Sequence, residues 1–185
     1  MKQLTLALRR WLKIRLCRSV GTKSTEVPRL REDESWGELS LAIRNILLEG
    51  NELLYKKCRP VEKFDEKLGL LIDDMFETME KAQGVGLAAP QVGILRRVVV
   101  IKIDRPIELV NPEIIYTDGE QRKEEGCLSM PNFTGITLRP MFVKVKAQNR
   151  KGEEVRYAGK ALSARAFCHE IDHLDGILFK SRLAK

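Results

Sequence analysis

Histidine is scarce in this chain: among 185 residues there are two, His169 and His173. Long apolar runs are missing as well, since no stretch approaches the roughly 18 residues that a membrane-spanning helix requires. No apolar segment has the flanks and the cleavage site of a secretory signal. These absences predict a soluble protein that is neither secreted nor inserted in a membrane.

Paired cysteine motifs are absent too. The four cysteines, Cys17, Cys58, Cys127 and Cys168, show no C-x-x-C spacing. A chain of this length can bury a sufficient core without disulfides. The cysteines are therefore predicted to be free thiols in a reducing compartment, or metal ligands.

Acidic residues are missing from the first 25 positions, which hold seven lysines and arginines. From Glu26 onward 26 basic residues balance 26 acidic ones, so the formal net charge of +7 belongs to the N-terminal segment. Residues 1–38 are predicted to be a basic extension and linker that is poorly ordered, and residues 39–185 a single catalytic domain. Residues 1–25 could be an extension without a function of its own. The alternatives are an organelle transit peptide, a membrane-surface helix or an RNA-contacting arm.

Two segments carry the apolar periodicity of helices. Apolar residues at three- and four-residue steps predict a helix over residues 65–83 with Gly84 as its C-terminal stop. A last helix is predicted to begin at Leu162 or Ser163 and to end near Gly176.

The segment between these helices shows strand patterns. They predict a buried strand at residues 96–103, two short strands around Asn111-Pro112 within residues 107–117, and a hairpin over residues 141–159 that turns at residues 150–152. Strands grouped between helices, without βαβ alternation, indicate an α+β fold of antiparallel sheets packed around the C-terminal helix.

Both histidines fall on that last helix, in the stretch C-H-E-I-D-H-L at residues 168–174. Residues four apart share a helical face, so His169 and His173 can bind one metal ion while Glu170 reaches its bound water. A catalytic metal normally has three protein ligands, and Cys127, in the tight segment E-E-G-C-L-S-M-P, would complete a Cys/His/His site. The alternatives are two core histidines and a small buried cysteine.

The stretch G-V-G-L-A-A-P-Q-V-G, at residues 84–93, matches neither a P-loop nor a dinucleotide-binding motif. Its small residues allow backbone to approach a ligand closely, and Gln91 offers a carboxamide donor. A packing turn without a ligand is the alternative.

Three motifs in one order, G-x-G-L-A-A-x-Q, E-G-C-L-S and H-E-x-D-H-L, resemble those of the peptide deformylases. These metallohydrolases remove the formyl group from the initiator methionine of nascent chains, and the similarity spans roughly residues 41–183. The resemblance implies that Cys127, His169 and His173 bind one metal ion, typically Fe(II), which Zn, Ni or Co can replace. It implies that metal-bound hydroxide attacks the formyl carbon, with Glu170 as general base and then general acid.

The same resemblance implies further roles around the metal. Gln91 and the backbone N–H of Leu128 correspond to the donors that stabilise the oxyanion. The expected substrate contacts in the glycine-rich loop and before the cysteine are Val85, Gly86, Glu125 and Gly126.

Helical geometry adds two candidate substrate contacts and excludes one cysteine as a metal ligand. Leu162 and Ala166 lie on the face of His169, where they are predicted either to line a pocket for the methionine side chain or to pack in the core. Cys168, where the family often has Gln, points away from the ligands and is not expected to bind metal.

The resemblance implies formyl-methionyl peptides emerging from the ribosome as substrates. The basic segment predicts weak ribosome contact, and the short, nearly neutral core predicts a monomer. No DNA or membrane partner is expected. The expected location is the cytoplasm, with targeting to an organelle through residues 1–25 as the alternative.

Two other functions fit the same residues less well. A zinc endopeptidase of the zincin kind is disfavoured because no further histidine exists to bind the metal. A ribosome-associated binding module with a structural metal is disfavoured because such a site needs a fourth ligand, whereas Glu170 suits an open position.

Overall fold

The structure, a computed structural model, describes residues 42–184, and the predicted extension of residues 1–38 lies outside them. The described chain has the predicted α+β class, with helices α1 (Glu66–Lys81) and α2 (Leu162–Leu174). Its strands are β1 (Gly86–Ala88), β2 (Val98–Lys102), β3 (Pro106–Asp118), β4 (Gln121–Cys127), β5 (Met130–Arg139), β6 (Phe142–Gln148) and β7 (Glu154–Lys160). Short 3-10 turns cover Glu52–Tyr55, Ala89–Val92 and Phe179–Arg182. Within residues 42–184, no helix has the length and apolar character needed to cross a membrane.

Helix α1 forms where the apolar side chains recur at helical spacing, and that apolar face is buried. The Asp65 side chain caps its first turn by accepting a hydrogen bond from the Leu68 N–H at 3.1 Å. The prediction that Gly84 is the residue that terminates helix α1 is wrong by one position. Gln83 takes the left-handed conformation, with φ of 56°, and Gly84 N donates to Met79 O at 2.9 Å. The capping hydrogen bonds therefore form around a non-glycine residue.

The larger sheet has the strand order β1-β2-β3-β6-β7, and all its neighbours are antiparallel. Because successive side chains of a strand face opposite sides, β2 contributes to two apolar clusters. Val98 and Val100 pack in the cluster that contains the buried face of α1, and Val99 and Ile101 pack in the cluster of α2. The sheet therefore carries one helix on each face, which fixes α2 against the centre of the fold.

Strand β3 differs from the prediction of two short strands, because one strand runs without a break through Asn111-Pro112. The pairing of β3 with β6 shifts register there, and Asn111 has φ of 51°. The Asn111 side chain accepts from Val61 N at 2.8 Å and donates to Val61 O and Gln148 Oε1, both at 2.9 Å. A bulge held by a side chain thus accommodates a proline that lacks an N–H.

The hairpin of β4 and β5 was not predicted. The two strands pair from Gln121 opposite Arg139 to Cys127 opposite Met130, with a register shift after Gly126. The segment Q-R-K-E-E-G-C lacks the β-branched alternation typical of strands, and it is paired because Gln121, Glu125 and Cys127 are buried and bond to residues of other segments. The hairpin brings the cysteine to helix α2.

Helix α2 and the hairpin of β6 and β7 confirm their predictions. The helix begins at Leu162 and gives way to Gly176, which has φ of 72°. Strands β6 and β7 pair from Phe142 opposite Lys160 to Gln148 opposite Glu154, and the turn between them contains residues 150–152.

Candidate active site

The structure brings Cys127, His169 and His173 together: one ligand atom of each lies within 4.8 Å of the others. Cys127 Sγ is 3.3 Å from His173 Nε2. All three residues are buried, and they form the only such group found among the described residues. A sulfur and two imidazole nitrogens suit Fe(II) or Zn(II), and three protein ligands leave a coordination position for water or substrate. The donor set therefore fits the expected metal.

A buried charge network holds His169 in place. His169 Nδ1 lies 3.0 Å from Glu125 Oε2, which leaves Nε2 for a metal ion. Glu125 also accepts hydrogen bonds from Arg139 Nε at 3.0 Å and from Thr137 Oγ1 at 2.7 Å. Arg139 in turn donates to Asp172. Burial by itself would raise the pKa of Glu125, but its hydrogen bonds with His169 and Arg139 outweigh burial and lower the pKa to about 2.

Replacing Glu125 with Gln is expected to weaken metal binding by about 10–100-fold, because the imidazole loses its ionised partner and Arg139 loses a buried counter-ion. The measurement is competition for the metal with a chelator, together with the midpoint of thermal unfolding. Glu124→Gln is the matched control, since Glu124 is the exposed neighbour of Glu125 and its carboxylate bonds to Thr134. Equal metal affinities in the two variants would contradict a positioning role for Glu125.

Glu170 is almost fully buried, with 4% of its surface exposed. Its Oε2 has no hydrogen-bond partner among the described residues. Burial is the main cause that raises the pKa of Glu170 to about 7, and the negative charge of Glu125 adds to it. A buried carboxylate oxygen without a partner is rare outside functional sites and suits a group that exchanges a proton with a ligand.

Gly86 makes room for that carboxylate. A Cβ at Gly86 would collide with Glu170 Oε1 and would lie 2.8 Å from Glu170 Cδ. Strand β1 therefore requires glycine at this point so that Glu170 can face the pocket.

Gly86→Ala is expected to displace the Glu170 carboxylate and to lower kcat by about 100-fold, because misplacement of a reacting group by about 1 Å has that cost. The measurement is steady-state formate release by the metal-loaded protein. Gly69→Ala is the control: nothing lies within 4 Å of the added Cβ, and a helical glycine replaced by alanine should stabilise α1 by about 0.5–1 kcal/mol. If both variants kept wild-type kcat, the steric role of Gly86 would be wrong.

Gln91 lies beside the sulfur of Cys127 and is 1% exposed. Its Oε1 accepts a hydrogen bond from Ala88 N at 2.8 Å, so its amide N–H groups point the other way. Gln91 Nε2 lies 3.5 Å from Cys127 Sγ and 3.1 Å from Ser129 Oγ. These contacts hold an amide donor next to the metal ligands, and Ser129 is a supporting residue that the sequence interpretation missed.

A pocket of about 460 Å³ opens beside the metal ligands. All the predicted substrate-contact residues line it, namely Val85, Gly86, Glu125, Gly126, Leu162 and Ala166, together with Gln91, Leu128 and Glu170. The Glu125 carboxylate itself bonds to His169, Arg139 and Thr137 inside the protein.

Two further residues of helix α2, Arg165 and Cys168, lie near the metal ligands in sequence. Arg165, which the sequence interpretation missed, lines the pocket, and its position four residues before His169 could have indicated this. Cys168 is buried in the α2 cluster outside the ligand group, and burial raises the pKa of its thiol to about 11.

The family model described as Polypeptide deformylase matches residues 43–185. Peptide deformylase 1 of Clostridium acetobutylicum is 57% identical over 146 residues, which cover 78% of this chain and 97% of that protein. The peptide deformylase of Clostridium botulinum is 55% identical over 146 residues, which cover 78% of this chain and 99% of that protein.

Solved structures of peptide deformylases have the same fold as this chain. The crystal structure of the Thermotoga maritima peptide deformylase superposes with a TM-score of 0.76 at 42% identity, covering 78% of this chain and 99% of that chain. The Legionella pneumophila peptide deformylase superposes with a TM-score of 0.75 at 48% identity, covering 77% of this chain and 87% of that chain.

Proposed function

Because this chain belongs to the peptide deformylase family, which removes the N-formyl group from nascent peptides, we propose that Cys127, His169 and His173 bind the metal and that Glu170 moves the protons of the reaction. The observation that carries the proposal is the buried, unpartnered Glu170 oxygen beside the only Cys/His/His group of the described chain.

One ion per chain is proposed, Fe(II) in the cell, with Zn, Ni or Co able to replace it. Cysteine and histidine donors suit each of these metals. A metal ion in this site would act as a Lewis acid that lowers the pKa of a water molecule towards neutrality.

Glu170 is proposed to act first as general base and then as general acid. It takes a proton from water as the water oxygen attacks the formyl carbon, and it delivers that proton to the nitrogen as the C–N bond breaks. The products are formate and a free amino terminus. Burial favours this cycle, because a carboxyl with its pKa raised to about 7 can both accept and release a proton near neutral pH.

Gln91 and the backbone N–H of Leu128 are proposed to stabilise the formyl oxygen as it gains negative charge. The anchoring of Gln91 Oε1 by Ala88 N supports this role, because a fixed amide needs no reorganisation when charge develops. The position of Leu128, directly after Cys127 and on the pocket wall, supports its part.

The peptide is proposed to lie between the segment of Val85 and Gly86 and the segment of Glu125 and Gly126, with the methionine side chain against Leu162 and Ala166. All of these residues line one pocket, which supports a common ligand. Leu162 is 42% exposed and Ala166 is 6% exposed, so the proposed methionine site is open to solvent at Leu162 and enclosed at Ala166.

We also propose a domain organisation and a location for the full chain. Residues 39–185 are proposed as the catalytic domain and residues 1–38 as an extension that contacts the ribosome weakly through its basic residues. A cytoplasmic monomer is proposed, with an organelle address in residues 1–25 as the alternative location.

The experiment that tests the reaction class is hydrolysis of a formyl-Met peptide in ¹⁸O-labelled water by the metal-loaded full chain. Attack of water on the formyl carbon places the label in formate and none in the peptide. Label in the peptide carboxylate, with an internal bond cleaved, would instead identify an endopeptidase.

A further inference from the structure

Arg165 carries a positive charge at the pocket without an acidic partner among the described residues. It lines the same pocket as Glu170 and His169. Its one described side-chain hydrogen bond runs from Nη1 to Gln121 Oε1 at 2.7 Å. A guanidinium has five N–H donors, so most of them stay available to a ligand.

The position of this guanidinium is set by the protein. Gln121 is 5% exposed and donates through Nε2 to Pro140 O at 2.8 Å and to Ala161 O at 3.0 Å. Its Oε1 therefore faces Arg165 in a fixed direction. A cation held in place before a ligand arrives loses little entropy on binding an anion.

The acidic residues that line the pocket near Arg165 already have partners. Glu125 is paired with the buried Arg139. Glu124 accepts a hydrogen bond from Thr134 Oγ1 at 2.7 Å. Arg165 is the one lysine or arginine among the residues that line this pocket.

Resting on the proposed function, we infer that this protein prefers formyl-Met chains with an acidic side chain at the second or third residue, recognised by Arg165. Arg165 precedes His169 by four residues, about 6 Å along the helix axis. An extended peptide advances about 3.3–3.6 Å per residue, so this spacing corresponds to about two residues of a peptide whose formyl group lies at the metal ligands.

The test measures kcat/KM of the metal-loaded full chain on two isosteric pairs of C-terminally amidated peptides. One pair is formyl-Met-Asp-Ala and formyl-Met-Asn-Ala, and the other is formyl-Met-Ala-Asp and formyl-Met-Ala-Asn. The wild type should prefer the Asp peptide of at least one pair by about fivefold, the effect of one partly screened ion pair. Added salt should reduce this preference.

Three variants assign the preference to its residue. Arg165→Gln should bring the Asp-to-Asn ratio close to 1, and Arg165→Lys should retain most of it. Arg122→Gln should keep the wild-type ratio, because Arg122 is exposed but is not among the residues that line the pocket. A wild-type ratio near 1 in both pairs, or a preference that survives in Arg165→Gln, would overturn the inference while leaving the deformylase proposal intact. Absence of turnover on all four peptides would contradict the proposed function itself and this inference with it.

Discussion

Replacing Glu170 with Gln is expected to lower kcat for formate release by about 10²–10⁴-fold while the metal content of the protein stays unchanged. Glutamine keeps the size of the side chain in its tight space against Gly86 but can neither take nor deliver a proton. Removal of a buried, unpaired carboxylate also relieves a desolvation cost, so we expect the melting temperature to rise or to stay constant. The measurement combines kcat, metal analysis and thermal unfolding.

The control is Glu113→Gln, which removes an exposed carboxylate from strand β3, distant from the pocket lining. It should leave all three readouts unchanged. A Glu170→Gln variant that binds its metal and keeps at least a tenth of wild-type kcat would show that another group carries the protons.

Removal of the metal should reduce activity to background, and only a chain with all three ligands should recover it. We expect chelator-treated wild type to regain activity with Fe(II) or Ni(II) added without oxygen. Cys127→Ala should remain inactive and lack bound metal, because two imidazoles alone hold a catalytic ion poorly. The measurements are metal stoichiometry per chain and formate release.

Cys168→Ala is the matched control, because Cys168 is also a buried cysteine but belongs to the apolar cluster of α2. It should bind one metal ion per chain and remain active. Metal loss in Cys168→Ala, or full activity in Cys127→Ala, would contradict the assignment of Cys127 as a ligand.

The sequence alone predicted the helix that carries the histidines, because its signal is local. Two histidines four residues apart, a glutamate after the first and a glycine at the end are all read within one helix. The hairpin of β6 and β7 was also predictable, since alternation and turn residues lie within 19 positions of each other. Cys127 could be predicted as the third ligand because a thiolate suits the metal. The structure places its Sγ 3.3 Å from His173 Nε2.

Other features depend on contacts between distant segments. The pairing of β4 with β5 is stabilised by Glu125 and Arg139, whose charges cancel each other inside the protein, whereas both residues suggest an exposed loop when read alone. The continuous strand β3 depends on Asn111 bonding to Val61, which is 50 residues away. The role of Gly86 became evident only from its contact with Glu170. Local patterns cannot report such contacts.

The most direct test is formate release from a formyl-Met tripeptide by the Fe(II)-loaded full chain, compared with the acetyl-Met form of the same peptide. The protein should release one formate for each amino terminus that appears, with little or no turnover of the acetyl peptide, because the formyl group is the smaller acyl group. A folded protein with one metal ion at Cys127, His169 and His173 that releases no formate would contradict the proposed function.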